Sequence, residues 1–124
     1  MDDVRDIGGM IFTNVILCVI LNQGGMIVEI NGIRVTWDDH KNEINKRKHG
    51  IGFETAAYVF LDEYRVEDVD LEHSGDELRY VSLGMVRKVL FVVYTQRGDT
   101  SRLISARVAT PAERSAYYGQ FGDS

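Results

Sequence analysis

The alternation of hydrophobic and polar positions is clearest in the C-terminal half of the chain. Residues 89–95 form a nearly unbroken run of β-branched and aromatic side chains, which is typical of a strand buried on both faces within a sheet. Gly98 and Asp99 interrupt this run, and residues 102–108 then alternate as a returning strand. We predict a β-hairpin whose strands are joined by a loop of roughly three to five residues.

Helix signals stand on either side of the strands. Acidic residues follow Trp37 and basic residues precede Gly50, which can adopt the left-handed conformation that ends a helix, so a first helix of about 11 residues is predicted. A terminal helix is predicted to begin at Pro111, because Thr110 and Glu113 flank it at the spacing of a capping box. A second short helix is predicted from apolar residues at helical spacing, which are Phe53, Ala56, Ala57 and Phe60.

Shorter alternating runs complete the predicted order of elements. Residues 78–85 alternate as a strand, and residues 65–69 are a weaker candidate. Asn31 and Gly32 predict a tight turn of a small hairpin within residues 27–37. Because the main strands follow the first two helices, we predict an α+β fold with two N-terminal helices, a meandering antiparallel sheet of about four strands and a C-terminal helix.

Residues 1–25 differ from the rest of the chain. Their hydrophobic stretch, even extended back to Met10, spans about 12 residues, short of the roughly 20 that a membrane span needs. Acidic residues outweigh Arg5 before this stretch, so the basic leader of a secretory signal is missing. Two interpretations stay open: an extension outside a folded domain of residues 26–124, or an extra strand or helix on the core.

Composition narrows the class of protein. A length of 124 residues suits one domain, and 44% hydrophobic with 27% charged residues is ordinary for a globular chain. Cys18 is the single cysteine, so the sequence excludes an internal disulfide and a zinc site built on cysteine pairs. A reducing, cytoplasmic setting is the simplest expectation.

The net charge of −5 argues against a nucleic-acid binder unless the charges are segregated. They are segregated, because residues 38–77 hold 12 acids and 5 bases, whereas residues 78–124 hold 7 bases and 3 acids. A basic face can therefore coexist with an acidic face, and the acidic face would suit a basic partner protein.

The side chains available for chemistry suit phosphate esters. No glycine-rich phosphate loop, dinucleotide fingerprint, zinc-protease motif or calcium loop occurs, and the three histidines are dispersed, so we expect neither a metal nor a cofactor. Arginines, acids and a Lys48-His49 pair remain. Metal-free RNA cleavage can use them, because cations stabilise the pentavalent transition state while a base takes the proton of the attacking 2′-hydroxyl.

Each candidate residue also has a structural interpretation. Guanidinium groups that converge at one sheet edge would bind phosphate bidentately, but exposed strand arginines also pair with nearby acids. For proton transfer the candidates are Lys48, His49 and Glu77, although the first two suit a helix C-terminus and Glu77 could pair with Arg79. The candidates for charge stabilisation are Arg79, Arg97, Arg102 and Arg107.

Several ordered blocks between residues 35 and 118 form a recognisable signature. The first block comprises Trp37-Asp38, Lys41-Asn42, Asn45, Lys48-His49-Gly50-Ile51, Phe53-Glu54 and Ala56-Ala57. The later blocks comprise Asp76-Glu77, Arg79-Tyr80, Gly84, residues 92–95, Arg97-Gly98, Arg102, residues 104–107, Ala109 and Glu113. In this order the blocks resemble the BrnT family of toxins.

This resemblance implies a RelE-like fold and the toxin of a type II toxin-antitoxin pair, an endoribonuclease that cleaves RNA and arrests bacterial growth. It implies a BrnA-type antitoxin as partner, with operator DNA contacted only through the antitoxin, and no membrane association. The site residues expected from the resemblance are Lys48, His49, Glu77, Arg79, Arg97, Arg102 and Arg107. Neither a metal nor a cofactor is expected. The alternative is a non-catalytic module whose arginine-rich sheet face binds an antitoxin or RNA.

Overall fold

A mixed sheet of seven strands organises the molecule. The computed structural model describes residues 18–22, 25–30 and 32–122. The spatial order is β1-β2-β3-β7-β6-β5-β4, with β3 and β7 parallel and every other pair antiparallel. The strands are β1 (Cys18–Asn22), β2 (Gly25–Ile30), β3 (Ile33–Asp38), β4 (Val66–Asp70), β5 (Arg79–Val86), β6 (Lys88–Arg97) and β7 (Thr100–Val108).

Three α-helices and two 3-10 helices complete the described part of the chain. They are α1 (Asp39–His49), α2 (Phe53–Ala56) and α3 (Pro111–Gly119), with 3-10 helices at Ala57–Leu61 and Leu71–His73. The α+β class is as predicted, but the strand number and order were wrong. Strands β4 to β7 form the predicted meander of four, whereas the β2–β3 hairpin and β1 extend the same sheet. The extension depends on a parallel pairing of β3 with β7. These two strands are distant in sequence, so no short sequence motif predicts their pairing.

The first and last helices begin and end where their sequence signals predict. Asp38 accepts a hydrogen bond from the Lys41 amide at 3.0 Å, and Gly50 ends α1 with φ of 74°. Thr110 and Glu113 form the predicted capping box of α3. The hairpin loop between β6 and β7 is shorter than predicted, since only residues 98–99 separate the strands.

The buried side of α1 consists of two asparagines. Asn42 accepts the amide of Phe53 at 2.8 Å and so holds the start of α2. Asn45 pairs with both backbone groups of Ala106, with an Nδ2–O distance of 2.8 Å and an N–Oδ1 distance of 3.2 Å. Since Ala106 lies beyond the three residue pairs that β3 forms with β7, Asn45 takes the place of a neighbouring strand there.

The two faces of the sheet are covered unequally. We call core face the side on which α2 and the first 3-10 helix pack, with Trp37, Phe53 and Val92 buried between them. We call outer face the opposite side, where α3 packs Tyr117 near Leu83 at one end only. Among the described residues the cluster around Tyr117 contains no other helix, and we call the part of the outer face beyond it the open end.

Strand β1 bears on the interpretation of residues 1–25. Residues 18–22 pair antiparallel with β2, so this part of the segment is a strand of the sheet, as the second interpretation predicted. Residues 1–17, 23 and 24 lie outside the described residues, and the domain boundary at Met26 stays a prediction. No helix within the described residues is long and hydrophobic enough to cross a bilayer.

Candidate active site

The open end of the outer face contains a cavity of about 290 Å³. Four of the seven predicted site residues line it, and they come from the loop before β5 and from the ends of β5, β6 and β7. The four residues are Glu77, Arg79, Arg97 and Arg102. The structure therefore brings together side chains that lie up to 25 positions apart in the sequence.

Strand register explains why these side chains meet. Thr95 on β6 stands opposite Arg79 on β5 and opposite Arg102 on β7, so the three residues form one row across the sheet. Residues opposite each other in neighbouring strands point to the same face, with Cβ atoms typically about 4.5–5.5 Å apart. Arg97 lies two positions beyond Thr95 and therefore shares that face.

The loop before β5 is held by a serine. Ser74 donates from Oγ to the Asp70 carbonyl at 2.7 Å and accepts the Arg79 amide at 2.8 Å. These two bonds close residues 70–79 into a compact loop. The loop carries Asp76 and Glu77 to the rim of the cavity.

Glu77 forms an ion pair with Arg97 rather than with Arg79. The guanidinium Nε and one carboxylate oxygen are 2.9 Å apart, and a second hydrogen bond spans 3.2 Å. This hydrogen-bonded arginine lowers the pKa of Glu77, with a smaller contribution from the charge of Arg102, and the carboxylate raises the pKa of Arg97. Glu77 is therefore ionised at neutral pH and can accept a proton but not donate one.

Arg79 and Arg102 are the two arginines of the cavity without an ion-pair partner among the described residues. Within the described residues neither guanidinium lies in an ion pair, whereas Arg97 and Arg107 each have a carboxylate partner. Both unpaired arginines are partly buried and flank Thr95. An anion that entered the cavity would therefore meet two available guanidinium groups.

Arg107 lies outside the cavity, although it is on the same face of the sheet. Its guanidinium makes two hydrogen bonds to Glu113, at 2.8 and 3.0 Å, and its Cζ lies 4.0 Å from the centroid of the Phe91 ring. The ion pair lowers the pKa of Glu113 and raises that of Arg107. These contacts tie the start of α3 to β7, so Arg107 has a structural role in this geometry.

Lys48 and His49 also lie outside the cavity. They occupy the last turn of α1, where a cation is favoured by the helix dipole. The cavity is reached by Lys41 from the first turn of the same helix. At 1.5 Å per residue, Lys48 lies roughly 10 Å farther along the helix axis. Any catalytic role of Lys48 and His49 stays a prediction.

Six residues that line the cavity were not among the predicted site residues, and three of them have polar side chains. These three are Lys41, Asp76 and Thr95. Asp76 and Lys41 stand in the sequence blocks that resemble the toxin family, and this was the available signal for them. Thr95 stands in one of those blocks too, but its side chain gave no separate signal, because a threonine inside a β-branched run is what strand propensity alone predicts.

A second cavity, of about 430 Å³, lies on the core face next to β4. Glu67 and Asp68 line it together with Tyr80 and Tyr94, whose rings stack 5.6 Å apart. The Tyr94 hydroxyl donates to Glu67 at 3.0 Å, and burial with this carboxylate raises the pKa of Tyr94. Its acidic lining makes this cavity a poor phosphate site. Within the described residues, no three histidine, cysteine or acidic side chains cluster as metal ligands would.

Two comparisons with known proteins found similar proteins. Residues 37–113 match the family model described as the ribonuclease toxin BrnT of a type II toxin-antitoxin system. A crystal structure of the Brucella abortus ribonuclease toxin BrnT is similar, with 24% identity and a TM-score of 0.46, over 60% of this chain and 92% of that chain. The curated proteins compared contain no match. Since the family model covers more than half of the sequence, the chain belongs to the BrnT family of ribonuclease toxins of type II toxin-antitoxin systems.

Proposed function

We propose that this protein is a metal-independent endoribonuclease that cleaves RNA by attack of a 2′-hydroxyl on the adjacent phosphate. The observation that carries the proposal is the row of Arg79, Thr95 and Arg102 in one cavity, with both arginines free of carboxylate partners among the described residues. Two guanidinium groups on either side of one phosphate would neutralise the charge that develops in the pentavalent transition state. This stabilisation needs no metal ion.

Glu77 is the proposed proton acceptor. It is ionised at neutral pH and stands at the rim of the cavity, and Arg97 orients its carboxylate through two hydrogen bonds. In the proposed reaction the 2′-oxygen forms a bond to phosphorus and gives its proton to Glu77. The bond to the 5′-oxygen breaks, and that oxygen takes a proton from solvent. A carboxylate with a lowered pKa is a weak base, so we expect a slow enzyme.

Lys41 also lines the cavity and supplies a further positive charge there. Lys48 continues the same side of α1, because residues seven positions apart lie nearly in line along a helix. We propose that Lys48 and His49 contact the RNA strand beyond the scissile phosphate. Arg107 is proposed to hold α3 in place, as its ion pair with Glu113 indicates.

The proposed partner is a BrnA-type antitoxin with its own DNA-binding domain, so that the complex contacts operator DNA through the antitoxin. The membership of a type II toxin-antitoxin family supports an antitoxin partner. We further propose that the protein acts in the bacterial cytoplasm, where RNA is available, and that unneutralised toxin arrests growth.

Induction of the chain in a bacterium, followed by electrophoresis of total RNA, tests the enzyme proposal. We expect growth arrest together with RNA fragmentation, and purified protein should cleave RNA equally well with and without EDTA. Growth arrest with intact RNA would contradict the proposed chemistry, and loss of cleavage in EDTA would contradict metal independence.

Arg102→Lys separates an enzyme from the binding-module alternative. Lysine keeps the charge but lacks the bidentate geometry, so an enzyme should lose cleavage rate by roughly tenfold or more while it binds RNA almost as before. A pure binding module should lose affinity with no cleavage to lose. The matched control is Arg47→Lys, because Arg47 is exposed on α1 and does not line the cavity.

A further inference from the structure

Thr95 carries a buried hydroxyl that has no hydrogen-bond partner among the described residues. The residue is only 4% exposed, and it lines the cavity of the candidate active site. In the described part of the chain, Trp37 Nε1 and Ser82 Oγ are also buried without a hydrogen-bond partner, but neither of those residues lines this cavity. An unsatisfied hydroxyl costs stability, so its presence at the cavity floor calls for a functional explanation.

The surroundings of Thr95 indicate an anion as the missing partner. Arg79 and Arg102 stand on either side of it in the same row of the sheet, and Lys41 lines the same cavity. A hydroxyl flanked by guanidinium groups is suited to donate to an oxygen that carries negative charge. A cationic ligand would be repelled at this position, and an apolar ligand would leave the polar groups without hydrogen-bond partners.

We propose that Thr95 donates a hydrogen bond to a non-bridging phosphate oxygen and forms, with Arg79 and Arg102, a three-point phosphate subsite. The inference rests on the proposed function in one respect: the phosphate is that of an RNA phosphodiester. Thr95 fixes the depth and rotation of the phosphate, which two flexible arginines alone would leave variable. It thereby aligns phosphorus with the attacking 2′-oxygen.

The test uses Thr95→Val and Thr95→Ser in the full chain. Valine keeps the shape and removes the hydroxyl, whereas serine keeps the hydroxyl. The matched control is Thr36→Val, because Thr36 stands beside Arg102 in the same row but does not line the cavity. The measurements are the binding of inorganic phosphate by titration calorimetry, the single-turnover rate of RNA cleavage, and the melting temperature without ligand.

We expect Thr95→Val to weaken phosphate binding and slow RNA cleavage by about tenfold or more, while Thr95→Ser and Thr36→Val stay within about threefold of the wild type. The melting temperature of Thr95→Val should not fall, because an apolar side chain of the same shape needs no partner at this buried position. A merely structural threonine would show the opposite, with lowered stability and unchanged binding.

The outcomes for the subsite and for the enzyme can be told apart. Unchanged phosphate binding by Thr95→Val, or a clear fall in its melting temperature, would overturn the subsite even if the wild type cleaves RNA. Phosphate binding that depends on Thr95 in a protein without ribonuclease activity would support the subsite and refute the proposed function. Absence of phosphate binding by the wild type would refute the subsite outright.

Discussion

Replacement of Asn45 by alanine tests how α1 is attached to the sheet. Asn45 is 5% exposed, and its amide makes three hydrogen bonds to backbone groups. Two of them satisfy the carbonyl and the amide of Ala106 on β7, and the third satisfies the carbonyl of Ile51 at 2.8 Å. Alanine leaves all three groups without a partner while it slightly favours the helix itself.

The expected cost follows from the burial of these groups. A buried backbone group that loses its partner costs about 1–3 kcal/mol, and Ala106 is fully buried. Water can reach the Ile51 carbonyl more easily, since that residue is half-buried. We therefore expect Asn45→Ala to lower the free energy of unfolding by about 3–5 kcal/mol, which is a large part of the 5–15 kcal/mol typical of a small domain.

Urea denaturation followed by tryptophan fluorescence measures this loss, because Trp37 is the single tryptophan and is buried in the core. The control is Glu43→Ala on the exposed side of α1, which should change stability by less than about 0.5 kcal/mol. An effect of Asn45→Ala within about 1 kcal/mol of that control would refute the idea that Asn45 replaces a neighbouring strand.

Three further substitutions test other parts of the structure. Glu113→Gln removes the partner of Arg107 and should cost about 1 kcal/mol in urea denaturation. Because the pKa of Glu113 is lowered in the folded state, this difference should be present above the ordinary value of 4.5 and fade as pH falls below it. Lys41→Met should slow RNA cleavage more than Lys48→Met, and equal effects would contradict the position of the cavity. Gly84→Ala should lower stability by about 1–3 kcal/mol, because its Cβ would lie 2.5 Å from a core valine, and an unchanged unfolding midpoint would contradict this.

Elements with local signals could be predicted from the sequence. The ends of α1 and α3 depend on caps within a few residues, such as Asp38, Gly50 and Thr110, and the structure confirms them. The β6–β7 hairpin likewise depends on a turn between two apolar runs. In each case the residues that decide the structure are neighbours in the chain.

Contacts between distant segments could not be predicted. The parallel pairing of β3 with β7 joins residues more than 60 positions apart, and no turn or cap announces it. The position of Arg107 depends on a β-bulge. Arg107 is five positions after Arg102, and in a regular strand residues an odd number of positions apart point to opposite faces. The register shifts between Val93 and Tyr94, so Ile104 is an extra residue and both arginines point to the outer face.

Alternation along β5 and β6 explains how an acidic protein can hold the proposed phosphate site. Arg79 and Thr95 point to the outer face, whereas the next residues in the chain, Tyr80 and Gln96, line the acidic cavity on the core face. The sheet thus separates cations from the carboxylate of Glu67 by its own thickness. Under the proposed function, an RNA backbone would be repelled by the acidic cavity and attracted to the outer face, so we expect the substrate to enter from the outer face.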